Sequence, residues 1–141
     1  MAEQVPDFDH FDHDDAWRVG SALVARCRTE GHAVAITIWL GEQRVFHAAL
    51  GGSSADNDGW ADRKARVVRR FACSSLEVHE RHGDNPQFFT AFGLSAADYA
   101  PSGGAVPTRV RGALVGVIAV SGLESGEDHD LALWGLHAEL K

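Results

Sequence analysis

The stretch WADRKARVVRRFACSS, residues 60–75, has the spacing of a helix that packs on a core. It also places a lysine within the apolar face of that helix. Successive helical residues turn by about 100°, so Trp60, Val67 and Phe71 project to one side. Lys64 lies only about 40° from Trp60 on the same helical wheel. Because a buried unpaired ammonium costs several kcal/mol, we expect Lys64 to have a carboxylate partner or to open onto a cavity.

Two alternatives follow for this lysine. In the first, its apolar stem is buried and its amine reaches water or a carboxylate, for which Asp56, Asp58 and Asp128 are candidates. In the second, it lines a pocket that accepts a carboxylate-bearing ligand, together with Arg63 and the serine pair. The residues that this stretch contributes to the pocket hypothesis are Arg63, Lys64, Ser74 and Ser75.

A second polar cluster supports the pocket hypothesis. PSGGAVPTRV, residues 101–110, places two glycines before a predicted strand that carries Arg109. Ser121 and Gly122 follow the next apolar strand, where the chain turns again. Glycines at both places allow a ligand or a neighbouring chain to approach main-chain N–H groups, although ordinary turn chemistry explains any one of them alone.

The rest of the chain predicts an α+β fold. The predicted order is α-β-β-α-α-β-β-α, and the antiparallel sheet of about five strands, with helices packed on it, forms a profilin/PAS-like sandwich. We expect one long helix from Asp58 to about His82, capped at Asp56 or Asn57. The other predicted helices cover 14–31, 87–94 and 127–141, and the predicted strands cover 33–40, 44–50, 107–111 and 114–121.

Composition limits the function classes. The 141 residues suit one domain, which we place at 13–141 after a flexible acidic arm at 1–12. A net charge of −7 argues against a nucleic-acid binder. No apolar run is long enough to span a bilayer and no secretory signal begins the chain, so we expect a cytoplasmic protein with reduced Cys27 and Cys73.

His10 and His13 lie among carboxylates, but an aspartate-capped solvated arm is favoured there over a metal site.

Several spaced motifs resemble one known family. They are Asn-Asp-x-Trp-x-x-Arg-Lys at 57–64, Ser-Ser at 74–75, Gly-Gly at 103–104 and Ser-Gly-Leu at 121–123 before Asp-His. This succession resembles the HbpS/GlcG-like superfamily of haem-degrading domain proteins, and within it a cytoplasmic branch of short stand-alone chains. The resemblance implies a small α+β sandwich that forms homo-oligomers, with haem as a candidate cofactor. It adds Asn57, Trp60 and His129 to the candidate ligand-binding residues, completing a set with Arg63, Lys64, Ser74, Ser75, Arg109 and Ser121.

Three functions are compatible with these patterns. The first is a ligand-binding domain for a small anionic ligand, with haem degradation implied by the resemblance alone. The second is an enzyme acting on a small anionic metabolite, for which no nucleophile–base–acid set can be identified in the sequence. The third is a homo-oligomeric scaffold or interaction module without catalysis, with Trp39 and Trp134 in subunit contacts. The first is the favoured hypothesis and the scaffold is its alternative.

Overall fold

Helices cover both faces of a five-stranded sheet in this chain, for which a computed structural model describes residues 4–140. The elements in chain order are β1 (Asp7–Phe8), α1 (His13–Glu30), β2 (Ala35–Leu40), β3 (Gln43–Ala49), α2 (Ala55–Phe71), α3 (Ser75–His82), α4 (Phe88–Phe92), β4 (Ala105–Val110), β5 (Ala113–Ser121) and α5 (Ser125–Glu139). The predicted α+β class is confirmed. None of the described helices is both long and apolar enough to cross a membrane.

The sheet is mixed, whereas the sequence predicted an antiparallel one. Its strand order is β1-β4-β5-β2-β3. The two hairpins and the central pairing of β2 with β5 are antiparallel, as expected. The difference is β1, which pairs with β4 in parallel at the sheet edge.

The strand β1 also corrects part of the predicted flexible arm at 1–12. Phe8 and Phe11 are buried in the core, and their rings meet edge to face with centroids 5.1 Å apart. Burying two aromatic rings offsets the entropy lost when this short segment is ordered. The first three residues of the predicted arm lie outside the described residues, as does Lys141 at the end of the predicted last helix.

Acidic residues at the start of α1 form its cap. The carboxylate of Asp12 accepts hydrogen bonds from the N–H groups of Asp14 and Asp15, and Asp15 accepts one in return from the Asp12 N–H. Asp15 also accepts a hydrogen bond of 2.7 Å from Arg18. Burial alone would raise the pKa of Asp15, but hydrogen bonds with Glu139, Asp12 and Arg18 outweigh it and lower the pKa from 3.8 to about 2.

This cap predicts a loss of stability in acid. Because the pKa of Asp15 is lower in the folded chain, its contribution is present above pH 3.8 and is lost as the pH falls through about 2. We expect the wild type to lose about 1 to 2 kcal/mol more than Asp15→Asn between pH 5 and pH 2. Urea unfolding across that range measures the difference, and parallel curves for the two proteins would contradict it.

The predicted long helix is wrong, since two helices occupy its place. Ala72 ends α2 with φ of 57°, in the left-handed region, and its N–H donates to the Val68 carbonyl oxygen. Ser74 then caps α3 by accepting a hydrogen bond from the Glu77 N–H. The sequence Ser-x-x-Glu at 74–77 is a helix-start signal that marks this break. Helix α2 also begins earlier than predicted, with Ser54 as its N-cap.

The core has a layer on each face of the sheet. Helices α1 and α5 cover one face through a cluster that contains Leu23, Ile36, Ile118 and Leu136. Helix α2 covers the other face with small side chains, among them Ala61 and Ala65. Those alanines allow α2 to lie close to the sheet, so a long side chain on the same face must enter the interior.

Candidate functional site

Lys64 is the long side chain on the buried face of α2. It is 3% exposed, and its neighbours on that face are Ala61, Ala65 and Val68, each fully buried. Trp60, which the helical wheel placed at the centre of the apolar stripe, instead lies at its edge and is 38% exposed. The prediction that a cation points inward is therefore confirmed, and the ammonium lies deeper than the aromatic ring.

The ammonium has a carboxylate partner on α5. Lys64 Nζ donates to Asp128 Oδ2 at 3.1 Å and to the Val120 carbonyl oxygen at 3.3 Å. Asp128 is 1% exposed and also accepts hydrogen bonds from the N–H groups of Gly122 and Leu123. Asp128 was one of the three partners proposed from the sequence, and this pair joins α2, the end of β5 and the start of α5.

Burial shifts both members of the pair towards their neutral forms. Desolvation lowers the pKa of Lys64, and the Asp128 charge only partly opposes this. Desolvation also raises the pKa of Asp128, against the Lys64 charge and the two N–H donors. Donors surround the carboxylate oxygens, so the geometry is that of an ion pair whose large desolvation cost is offset by hydrogen bonds.

Gly104 makes room for this pair, and Gly122 makes room for the neighbouring stretch of chain at Ala33 and Val34. Gly104 has φ of +139°, and a Cβ there would lie 2.5 Å from the Val120 carbonyl oxygen and 2.6 Å from Lys64 Nζ. Gly122 has φ of +149°, and a Cβ there would lie 2.4 Å from the Ala33 carbonyl oxygen. The sequence predicted close approach at both glycines, but the groups that approach belong to the same chain.

A cavity of about 270 Å³ lies beside the ammonium. Its lining consists of Asp56, Asn57, Trp60, Lys64, Ser102, Ser121, Gly122, Leu123, Ser125 and Asp128. These residues come from the first three turns of α2, the first turn of α5, the turn before β4, and the end of β5 with the turn after it. Lys64 is therefore paired with a carboxylate, as in the first alternative, and it also lines a recess, while ligand binding there stays a prediction.

Four of the candidate ligand-binding residues from the sequence meet in this cavity. They are Asn57, Trp60, Lys64 and Ser121. Serines 102 and 125 were missed, because nothing in their local sequence shows that two distant turns meet. Asp128 was considered only as a partner of Lys64, and Asp56 only as such a partner or as a helix cap.

The two candidate arginines are not part of the cavity lining. The guanidinium of Arg63 stacks over the Trp60 ring at 4.2 Å and donates to the Gly59 carbonyl oxygen. Arg109 donates to the Ala72 carbonyl oxygen at 2.6 Å and so supports the end of α2. A direct role for either guanidinium in ligand binding stays a prediction, and neither arginine lines this recess.

The remaining candidates also lie outside the lining. Ser74 caps α3, and the Ser75 hydroxyl is hydrogen-bonded to the main chain of Ala105, which fixes α3 to β4. His129 is 6% exposed, and its Nδ1 atom has no hydrogen-bond partner in the described part of the chain. These positions explain why the family pattern includes the serines, since both hold helix α3 in place.

Two other histidine-containing groups lie outside the cavity lining. His10, Asp12 and Asp15 place ligand atoms within 4.8 Å of one another, but both carboxylates already serve the cap of α1. The Nδ1 atom of His47 lies 2.8 Å from the hydroxyl of buried Thr37. Both groups are therefore explained by local structure.

Comparison with known proteins identifies the family. A family profile described as "Haem degrading protein HbpS-like" matches residues 11–137. The chain belongs to the HbpS-like family. This confirms the resemblance derived from the motifs at 57–64, 74–75, 103–104 and 121–123.

Relatives of this HbpS-like chain include curated and solved proteins. A UPF0303 protein of Streptomyces avermitilis is 46% identical over 129 residues, which are 90% of this chain and 79% of that protein. The solved structure of the Ybr137w protein has a TM-score of 0.86 at 30% identity and covers 93% of this chain and 79% of that one. A complex of PduOC with heme has a TM-score of 0.75 at 17% identity, covering 91% and 94% of the two chains, and so supports the fold alone.

Proposed function

We propose that this chain is a haem-related ligand-binding domain that holds an anionic group of its ligand in the cavity beside Lys64. The observation that carries the proposal is a nearly buried ammonium in the wall of an open polar recess. The HbpS-like family description supports a ligand of haem-related chemistry.

The local electrostatics suit an anion despite the two carboxylates in the lining. The first turns of α2 and α5 both border the cavity, and helix N-termini carry partial positive charge and unpaired N–H groups. Lys64 and Asp128 form a pair without net charge, and Asp128 also accepts from two main-chain donors, so the helix N-termini supply the attraction for an anion. Asp56 lies exposed in the first turn of α2, where water screens its charge.

The residues of the cavity fit a carboxylate better than an iron centre. Haem iron is held in proteins by His, Cys, Met or Tyr, and none of the residues that line the cavity is of these types. A propionate-like carboxylate matches the ammonium, the hydroxyls and the N-termini. The haem-related proposal therefore concerns the acidic edge of such a ligand, with the exposed Trp60 ring as a contact for its apolar part.

Haemin titration tests this proposal with two matched tryptophan variants. We expect saturable binding in the micromolar range for the wild type, followed by Soret absorbance. Trp60→Ala should weaken binding about fivefold or more, because one aromatic contact contributes about 1 kcal/mol. Trp17→Ala, which removes a 64% exposed ring outside the cavity, should leave the affinity unchanged. Absence of saturation, or equal losses in both variants, would contradict the proposal.

A homo-oligomeric scaffold is the second candidate function. Trp17 is 64% exposed and Trp134 is 37% exposed, so large apolar groups face solvent on α1 and α5. Trp39, which the sequence also assigned to a subunit contact, is instead buried beneath α2, with Arg44 and Arg69 over its ring. Homo-oligomer formation, haem degradation and a cytoplasmic location stay predictions.

A further inference from the structure

We infer that the anionic group held beside Lys64 belongs to a small carboxylate that also carries a hydroxyl, and that Ser121 and Lys64 both donate to its carboxylate. This inference rests on the part of the proposed function that places an anionic ligand in the cavity, and it names a small ligand there in place of the acidic edge of a haem-related one. It depends on which hydrogen-bonding groups of the lining are already used within the chain and which are not.

The first unused group is on Lys64. An ammonium has three N–H donors, and those of Lys64 have two acceptors in the described chain, Asp128 Oδ2 and the Val120 carbonyl oxygen. One N–H of the ammonium therefore has no acceptor among the described residues, and Lys64 lines the cavity. A single acceptor atom of the ligand would give the ammonium its third hydrogen bond and leave its pair with Asp128 intact.

The second unused group is the Ser121 hydroxyl. Ser121 is 3% exposed and lines the cavity, and among the described residues its hydroxyl has no hydrogen-bond partner. A hydroxyl that borders a cavity and is not used within the chain is available to donate to a ligand oxygen. It lies at the end of β5, next to Val120, whose carbonyl oxygen accepts from Lys64.

Other donors extend the same pattern. The Ser125 oxygen accepts a hydrogen bond of 2.6 Å from the Gly103 N–H, which leaves its own O–H to donate. The Asn57 oxygen accepts from the Ser54 N–H, which leaves its amide NH₂ as a donor. Donors thus predominate on the cavity side, and a ligand rich in acceptor oxygens complements them. The exposed Asp56 carboxylate is the acceptor for a ligand hydroxyl.

Cavity size limits the ligand. A volume of about 270 Å³ corresponds to roughly nine water-sized groups at about 30 Å³ each. A short hydroxylated carboxylate fits within it, whereas a porphyrin ring must remain outside the recess. The cavity therefore has room for a small ligand as a whole, but only for the acidic edge of a large one.

Isothermal titration calorimetry of the full chain with five small probes tests this ligand class. The probes are D- and L-glycerate, propionate, glycerol and inorganic phosphate. We expect glycerate to bind at least about tenfold more tightly than propionate, because propionate lacks the hydroxyl, and glycerol not to bind, because it lacks the charge. Phosphate binding equal to glycerate binding would show general oxyanion recognition and would overturn the hydroxycarboxylate assignment.

Serine variants locate the site. Ser121→Ala should weaken glycerate binding about tenfold, as expected for the loss of one hydrogen bond to a charged acceptor. Ser21→Ala is the matched control, because Ser21 is a half-buried serine on α1 outside the cavity lining. Ser102→Phe fills the recess from a half-buried wall position and should abolish binding, with circular dichroism showing that the fold is retained.

The outcomes separate this inference from the proposed function. Haemin binding that depends on Trp60, with no glycerate binding, would overturn the inference and leave the proposed function standing. Glycerate binding that Ser102→Phe and Ser121→Ala leave unchanged would place the ligand elsewhere and also overturn the inference. If neither haemin nor any small carboxylate binds, both are wrong.

Discussion

Lys64→Met is expected to lower the free energy of unfolding by about 3 to 5 kcal/mol, because it leaves the Asp128 carboxylate buried without its counter-charge. Asp128 is 1% exposed and keeps only the N–H groups of Gly122 and Leu123 as donors in this variant. A domain of this size is stable by about 5 to 15 kcal/mol, so the loss is a large fraction of the total. Urea unfolding followed by far-UV circular dichroism measures it.

A second variant separates the unpaired charge from the lost packing. In Lys64→Met with Asp128→Asn the buried charge is removed, while the asparagine oxygen still accepts from the Leu123 N–H. We expect this double variant to recover about 2 kcal/mol relative to Lys64→Met alone. Arg70→Met, an exposed arginine on the same helix, is the control and should change stability by less than about 1 kcal/mol. A loss of less than about 1 kcal/mol for Lys64→Met would show that Asp128 is not a buried ion in the folded protein.

Gly104→Ala is expected to lower stability by about 3 kcal/mol, the second large effect. The new Cβ would meet the Val120 carbonyl oxygen at 2.5 Å and Lys64 Nζ at 2.6 Å, so the buried pair itself must shift. The φ of +139° adds strain of about 1 kcal/mol or more, because a side chain rarely adopts that conformation. Thermal unfolding by calorimetry measures the combined effect.

Gly126→Ala is the matched control for that substitution. Gly126 lies in the first turn of α5, and a Cβ there would meet no atom within 4 Å. The same chemical change should therefore alter stability by no more than about 0.5 kcal/mol in either direction. Equal losses in the two alanine variants would mean that close packing around Lys64 Nζ does not determine the cost at Gly104.

The sequence predicted the elements well where the local pattern was periodic. Short apolar runs between turn residues placed both hairpins, and helical spacing placed the first and last helices, within a few residues of their positions. The break between α2 and α3 was missed because apolar spacing continues through it, whereas the Ser74 cap and the left-handed Ala72 interrupt the backbone. The strand β1 was missed because an acidic segment containing Phe8 and Phe11 has no strand pattern of its own.

The candidate site was predicted in part, and for a definite reason. Helical spacing alone determined that Lys64 points inward, because the direction of a side chain on a helix follows from its position in the turn. The arginine at 63 was expected to share the pocket, but one helical step moves it to the face where Trp60 stacks against it. Spacing therefore determined which face each residue occupies and gave no information on what lies opposite.

By itself, the sequence determined the fold class, the family and the inward cation. Only the tertiary structure decided that Asp128, sixty-four residues further along the chain, is its partner, and that Ser102, Ser121 and Ser125 surround the same recess. Those contacts join turns that are distant in the chain, so no local period encodes them. They exist because strands β4 and β5 bring both turns beside the first turn of α2, where Gly104 leaves space for the ammonium.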